Sequence, residues 1–82
     1  MSGNRRTRDG IRLSRIERMA RQIAGVSTRQ GTNHPIILNY PNMEPCPIAE
    51  STDVRRMVVP WFGEITGYNN QNIYQSFQRG RW

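Results

Sequence analysis

Lysine is absent from this chain of 82 residues, and all twelve of its basic residues are arginine. Six acidic residues oppose them, which leaves a formal net charge of +6. A guanidinium group donates two parallel hydrogen bonds to phosphate and stacks on bases, which an ammonium group cannot do. The composition therefore favours a nucleic-acid partner, with a codon bias toward arginine as the alternative. Such a bias does not explain why seven arginines cluster early in the chain, at Arg5, Arg6, Arg8, Arg12, Arg15, Arg18 and Arg21.

Cysteine and histidine are equally scarce, with one of each, Cys46 and His34. A single cysteine excludes an internal disulfide, and this pair alone cannot form a usual zinc shell. We therefore expect no metal site and no cofactor. Cys46 lies in a Pro-Cys-Pro segment with no base close in sequence, so we also expect it to be non-catalytic.

Long hydrophobic runs are missing as well. The runs IIL and MVVPWF are far shorter than the ~20 residues that span a bilayer, and the start MSGNRRTRDG lacks the apolar core of a signal peptide. These features predict a soluble, cytoplasmic protein that does not bind membranes.

Two parts of the chain differ in pattern. Residues 1–13 are rich in arginine and have almost no periodic apolar residues, which predicts a flexible arm whose Arg5, Arg6 and Arg8 contact a phosphate backbone. Residues 14–82 carry the apolar periodicity and predict one small domain.

The domain opens with an amphipathic helix. Ser14 and Glu17 have the spacing of a capping box, which predicts a helix start near Arg15. Gly25 then follows the apolar face and predicts the helix end. A solvated charged face explains the arginines of this helix about as well as RNA contact does.

Strands and a second helix follow. We predict strands at Val26–Gln30, Pro35–Tyr40 and Val54–Pro60, with a turn at Gly31–Asn33 and a proline-rich loop over residues 41–53. The pattern NNQNIYQSFQR predicts a last helix over Asn69–Arg79, capped by an asparagine and closed by a glycine.

The predicted order is helix, three antiparallel strands, helix, an α+β fold with the outline of a double-stranded-RNA-binding domain. Its expected core has eight members: Ile16, Met19, Ile23, Ile36, Leu38, Val58, Ile73 and Phe77.

Several short motifs resemble the HicA family of small toxin-type mRNA interferases. They are Gly25-Val26 after a short helix, GTNH at residues 31–34, VVP at residues 58–60, and a terminal I-x-x-x-F helix. The resemblance covers about residues 14–80. It implies a double-stranded-RNA-binding-like fold, a single catalytic histidine at His34, and a HicB-like antitoxin as partner.

One departure from the family concerns the third strand. Many members have a basic residue and a second histidine after the V-P of that strand, whereas this chain has Trp61 and Phe62. We expect Phe62 to close the core. For Trp61 both a core position and a stacking platform for unpaired bases stay open.

The chemistry of RNA cleavage fits the position of the histidine. Attack of a 2′-hydroxyl on the adjacent phosphate needs a proton acceptor, a proton donor and positive charge for the developing dianion. His34 can serve the proton role near neutral pH. Around it, Arg29 would clamp the phosphate, Gly31 would allow its close approach, Thr32 and Asn33 would offer polar groups, and Arg55 and Arg56 would hold further phosphates.

These observations predict a metal-independent endoribonuclease toxin of a toxin-antitoxin pair, acting on mRNA. The alternative is a non-catalytic RNA- or DNA-binding module, of host or phage origin, that retains the fold. It is favoured by the missing second histidine, and His34 is then only a structural polar residue. A protein that presents its arginines to an acidic surface is a third class. The RNA sequence preference and self-association stay open.

Overall fold

The computed structural model describes residues 5–82, and the first four residues lie outside that range. The elements combine helices with one antiparallel sheet, so the predicted α+β class with three antiparallel strands is confirmed. In chain order they are α1 (Leu13–Arg21), β1 (Ser27–Arg29), β2 (Ile36–Asn39), β3 (Cys46–Ile48), a π-helical turn (Val54–Val58) that runs directly into α2 (Val59–Thr66), and α3 (Asn70–Arg79).

The sheet has the order β1-β2-β3, with β2 in the centre. Thr28 of β1 lies opposite Leu38, and Ile36 at the start of β2 lies opposite Ile48 at the end of β3. The predicted hairpin between the first two strands is therefore confirmed. Pro35 directly precedes the central strand, where its missing N–H breaks no ladder.

The predicted third strand was wrong in position. It was expected at Val54–Pro60, but β3 is Cys46–Ile48, inside the segment expected to be a loop. Pro47 is tolerated there because β3 is an edge strand, and it lies exposed between two buried neighbours. Because prolines usually indicate a loop, the short buried-exposed-buried alternation of this segment was not predicted to be a strand.

The segment predicted as that strand is helical instead. Val54, Val58 and Phe62 recur every four residues and are completely buried, which is helical spacing. Asp53 precedes the turn, and its carboxylate accepts a hydrogen bond from the backbone of Arg56. Pro60 lies in the first turn of α2, where its missing N–H costs little. The spacing of Val54, Val58 and Phe62 can be read from the sequence and indicates a helix.

The predicted first helix exists with different limits. It begins at Leu13 and ends at Arg21, and Arg12 precedes it without a side-chain cap. The predicted capping box was wrong, because Ser14 lies inside the helix. Gly25 has φ +87° but belongs to the following turn, where the Tyr40 ring would lie 2.8 Å from an added Cβ.

The last helix agrees closely with its prediction. The Asn69 side chain accepts hydrogen bonds from the backbone of Gln71 and Asn72, at 2.8 and 3.4 Å. Gly80 ends the helix in the left-handed conformation, with φ +88°. Asparagine at the start and glycine at the end thus determine both boundaries of α3.

The core contains the predicted residues. Seven of the eight are buried, and Ile23 packs half-buried against them. Phe62 is also fully buried, with ring centroids 5.4 Å from Phe77 and 5.5 Å from Trp82. Trp61 lies half-buried with its edge on Phe62, and its indole N–H donates to the carbonyl of Glu44 at 2.8 Å. This arrangement favours the core role for Trp61.

Residues 5–12, which belong to the predicted flexible arm, form a turn with buried residues in the structure. Thr7 and Ile11 are both 5% exposed, and the N–H of Thr7 donates to the carbonyl of Ile11 at 2.8 Å. Ile11 is the one buried apolar residue of this turn, and polar groups make the other stabilising contacts. The sequence therefore shows no apolar periodicity in this segment. The remaining residues of the predicted arm, 1–4, lie outside the described range.

Candidate nucleic-acid interface

The loop with His34 and several other predicted site residues lies at one end of the sheet. β1 ends at Arg29 and β2 begins at Ile36, so the loop with His34 joins the strands at this end. β3 ends here too, because Ile48 pairs with Ile36. We call this region the sheet end.

The N-terminal segment and the π-helical turn also reach the sheet end. A tight turn over residues 49–52 follows β3, closed by a hydrogen bond from the N–H of Ala49 to the hydroxyl of Thr52 at 2.9 Å. The N–H of Arg8 donates to the carbonyl of Thr52, also at 2.9 Å. The π-helical turn begins two residues later. Four predicted arginines belong to the three backbone segments that reach this region, and we call them the sheet-end arginines: Arg8, Arg29, Arg55 and Arg56.

The sheet-end arginines are exposed. Within residues 5–82, none of their side chains makes a hydrogen bond or ion pair, although the Arg55 guanidinium lies 5.2 Å from the centre of the Tyr74 ring. Positive groups in this condition keep their N–H donors available for phosphate oxygens.

Gly31 has a role that the sequence did not reveal. An added Cβ would lie 2.5 Å from the Cδ1 atom of Ile37 and 2.9 Å from the carbonyl oxygen of His34. The Gly31 N–H donates to that same carbonyl at 3.0 Å. Glycine therefore allows the loop to close on itself, and its N–H is already engaged, while Thr32 and Asn33 are exposed.

His34 is half-buried in this loop. Among the described residues, its imidazole makes no side-chain hydrogen bond and no ion pair. A histidine that moves protons is usually oriented by a hydrogen bond to its second nitrogen. Here the orientation has to come from loop packing or from a bound ligand.

Asp9 connects the segments at the sheet end, although it was not among the predicted site residues. One carboxylate oxygen accepts from the Thr7 hydroxyl at 2.8 Å and from the backbone of Val54 at 3.1 Å. The other accepts from the backbone of Arg55 at 3.2 Å and from the hydroxyl of Tyr74 at 3.1 Å. The carboxylate thereby joins the N-terminal segment, the π-helical turn and α3. An acidic residue in a strongly basic segment was the only available signal.

The hydrogen bonds also affect titration. Partial burial raises the pKa of Asp9, but the hydrogen bonds it accepts, led by that from Val54, outweigh this effect and hold the pKa below its ordinary value. Burial raises the pKa of Tyr74, and its hydrogen bond to Asp9 raises it further. The aspartate is therefore charged and the tyrosine protonated at neutral pH.

Other arginines of the predicted cluster bond within the protein. Arg15 donates to the carbonyls of Phe77 and Gln78 at 3.1 and 2.9 Å, and Arg18 donates to the carbonyl of Gly80 at 2.5 Å. These bonds satisfy free carbonyls at the end of α3.

Arg21 contacts Glu17 and the Thr28 hydroxyl, at 3.2 and 3.1 Å. Glu17 and Arg21 are four residues apart on α1, so their side chains lie on the same side of the helix. We call Arg15, Arg18 and Arg21 the bonded arginines.

Arg5 and Arg6, the other two arm arginines predicted to contact phosphate, also differ from each other. Arg6 donates to the carbonyl of Gly10 at 3.1 Å, inside its own turn. The carbonyl of Arg5 accepts from the N–H of Leu13, while the Arg5 residue as a whole is exposed. The structure therefore keeps the Arg6 guanidinium partly occupied near the start of α1.

Cys46 lies in β3 and is 6% exposed. Its thiol donates to the carbonyl of Met57 at 3.8 Å. Burial raises the pKa of the Cys46 thiol to about 11, so it is protonated at neutral pH and a poor nucleophile. Within residues 5–82, no three histidine, cysteine, aspartate or glutamate side chains are grouped to hold a metal ion.

None of the helices in residues 5–82 has both the length and the apolar character required to cross a membrane. Comparison with known proteins gives no relative: no protein-family model, no curated protein and no solved structure matches the chain.

Proposed function

We propose that the protein is a metal-independent endoribonuclease whose site is the sheet end. The observation that carries the proposal is that the His34 loop and the backbone segments bearing the sheet-end arginines reach the same end of the sheet. In this proposal the half-buried imidazole of His34 transfers protons, and the available guanidinium groups of the sheet-end arginines stabilise charge during phosphodiester cleavage.

The reaction follows from these groups. His34 takes the proton of a 2′-hydroxyl as its oxygen forms a bond to the adjacent phosphorus. The bond from phosphorus to the 5′-oxygen breaks, and that oxygen takes a proton from the imidazolium or from water. The products are a 2′,3′-cyclic phosphate and a 5′-hydroxyl. The sheet-end arginines stabilise the extra negative charge of the transition state.

The finer assignment is a HicA-like mRNA interferase with a double-stranded-RNA-binding-like fold, whose HicB-like antitoxin covers His34. The order of one helix, three antiparallel strands and a terminal helix supports it. Two features differ from the expected family pattern: α2 lies between the sheet and the last helix, and the VVP motif of residues 58–60 is helical.

A second candidate is a non-catalytic RNA- or DNA-binding module. It is favoured by a specific observation, namely that no side chain among residues 5–82 hydrogen-bonds His34. In this case the sheet-end arginines hold phosphates and no bond is broken.

The test is cleavage of single-stranded RNA in EDTA, with end-group analysis of the products. Wild-type protein should cut and leave 2′,3′-cyclic phosphate. His34→Ala should lose at least ~100-fold in rate, since a positioned acid or base contributes ~10²–10⁴-fold. Its RNA affinity should stay within about threefold, because many arginines share the phosphate contacts.

Gln75→Ala, an exposed change on α3, is the control and should cut normally. Wild-type protein that binds RNA without cutting would support the second candidate. Cutting that persists in His34→Ala would make the histidine structural. Cutting abolished by EDTA would contradict the metal-independent mechanism.

A further inference from the structure

A cleft of about 320 Å³ lies between the π-helical turn, the start of α2 and the start of α3. It is lined by Arg55, Val59, Asn70, Gln71 and Tyr74. Val59 forms an apolar floor and is 1% exposed. The volume is near the lower limit of ~300–1,000 Å³ for small-ligand sites, which suits one nucleotide and not a duplex.

A stacked cation and ring form one wall of the cleft. The Cζ atom of Arg55 lies 5.2 Å from the centroid of the Tyr74 ring, within the range of a cation–π contact. Asp9 fixes both members, because it accepts the backbone N–H of Arg55 and the hydroxyl of Tyr74. The pair is thus held in position without a ligand, while Arg55 stays exposed.

Two side-chain amides at the start of α3, the helix that also bears Tyr74, complete the lining. The first N–H groups of α3 already donate to Asn69, so the helix start itself offers little to a ligand. Asn70 and Gln71 are exposed and each carries a donor and an acceptor. Such groups match the edges of nucleobases and ribose hydroxyls. The cleft lining contains no acidic side chain.

We propose that this cleft binds one unpaired nucleotide of a single-stranded RNA. The base stacks on the Arg55–Tyr74 pair, and its polar edge contacts the amides of Asn70 and Gln71. Because Arg55 also belongs to the sheet end, a strand that passes His34 extends into the cleft. The proposal rests on RNA being the ligand of the proposed function, and it adds a second contact region on α3.

The test measures binding of a fluorescently labelled, short single-stranded RNA to the full chain carrying His34→Ala, so that cleavage does not interfere. Arg55→Gln should weaken binding about tenfold, since a stacked base contributes ~1–3 kcal/mol. Arg81→Gln is the charge-matched control on an exposed arginine outside the cleft and should change affinity less than about threefold.

Gln71→Ala tests the base contact without altering charge or core. It should weaken binding about threefold to tenfold for RNA with bases and have no effect on an RNA of the same length with abasic sites, in line with ~0.5–1.5 kcal/mol per hydrogen bond. Circular dichroism and thermal unfolding of each variant verify the fold.

Two results would overturn the cleft: equal effects of Arg55→Gln and Arg81→Gln, or no effect of Gln71→Ala on RNA with bases. If wild-type protein fails to cut RNA but these variants still weaken binding, the nuclease proposal would be wrong and the cleft proposal would stand. If wild-type protein cuts RNA and Gln71→Ala leaves the binding of RNA with bases unchanged, the cleft proposal would be wrong and the nuclease proposal would stand.

Discussion

The bonded arginines of α1 and the sheet-end arginines carry the same guanidinium group, but only the bonded arginines use it for hydrogen bonds within the protein. Arg15 and Arg18 donate to the last carbonyls of α3, and so they join two helices. The sheet-end arginines lie in the N-terminal segment, at the end of β1 and in the π-helical turn, and within the described range their side chains make no hydrogen bond or ion pair. Arginine clustering in the sequence therefore mixes two populations, one that stabilises the fold and one that is available to a ligand.

The two groups of arginines also differ in the negative groups that surround them. At a helix C-terminus a guanidinium meets the negative end of the dipole and several free carbonyls. At the sheet end the Asp9 carboxylate is occupied by four donors and Asp53 accepts from the backbone of Arg56, and within residues 5–82 no ion pair neutralises a sheet-end arginine. A phosphate chain would find more available donors at the sheet end than along α1.

The largest expected effect is on RNA binding. Replacing Arg8, Arg29 and Arg56 together by glutamine should weaken single-stranded RNA binding roughly 50-fold near 0.15 M salt, because each lost phosphate contact removes ~0.7 from the salt slope. Thermal stability should hardly change. The measurement is a salt titration of affinity. A slope unchanged from wild type would place the ligand elsewhere.

The next effect concerns Asp9. Asp9→Ala should lower the free energy of unfolding by about 2 kcal/mol, because buried and half-buried donors lose a charged acceptor. Asp53→Ala is the control, since Asp53 accepts one such bond, from Arg56, and should cost about 1 kcal/mol. Urea denaturation measures both. Equal losses would show that Asp9 is only another helix cap.

The pH dependence gives the same test a second readout. The folded-state pKa of Asp9 is lowered. Its stabilisation is therefore complete above the unfolded-state pKa of ~3.9 and is lost as pH falls through the folded-state value. The difference in unfolding free energy between wild type and Asp9→Asn should stay constant from about pH 5 to 7 and shrink in more acidic solution. A difference that grows toward acid would contradict the assigned hydrogen bonds.

The smallest effects separate the members of the bonded arginines. Arg15→Ala should cost about 1 kcal/mol, because two charge-assisted bonds to α3 are lost. Arg21→Ala should cost less than about 0.5 kcal/mol, since its ion pair with Glu17 is exposed. Denaturant unfolding measures both, and RNA affinity should change little in either. If Arg15→Ala weakened RNA binding strongly but cost little stability, Arg15 would belong with the arginines that are available to a ligand.

Much of the fold was predictable where one local signal was sufficient. Asn69 and Gly80 marked the ends of α3, and the hairpin followed from apolar residues on both sides of a Gly-Thr-Asn turn. The third strand was misplaced because Val58 and Val59 are β-branched residues, which are enriched in strands. Their burial spacing with Val54 and Phe62 is helical, and this periodicity should have outweighed composition.

The candidate site was predicted as a set of residues without its connections. His34 and the nearby polar residues were identified from one short motif. Asp9 was missed because its partners, at Val54, Arg55 and Tyr74, are distant in sequence. No local pattern indicates which backbone N–H groups a carboxylate will meet after folding. The cleft beside Tyr74 was hidden for the same reason.

The Asp9 carboxylate has a consequence for the order in which the chain folds. Its bonds to Val54, Arg55 and Tyr74 close loops with sequence separations of 45, 46 and 65 residues. Long loops are closed late, because the entropy cost precedes any gain from the contact. The β1-β2 hairpin and α3 form from local contacts, whereas the sheet end needs both ends of the chain. During synthesis on the ribosome, the hairpin can assemble early, but the groups around Asp9 come together only after the helix bearing Tyr74 has emerged.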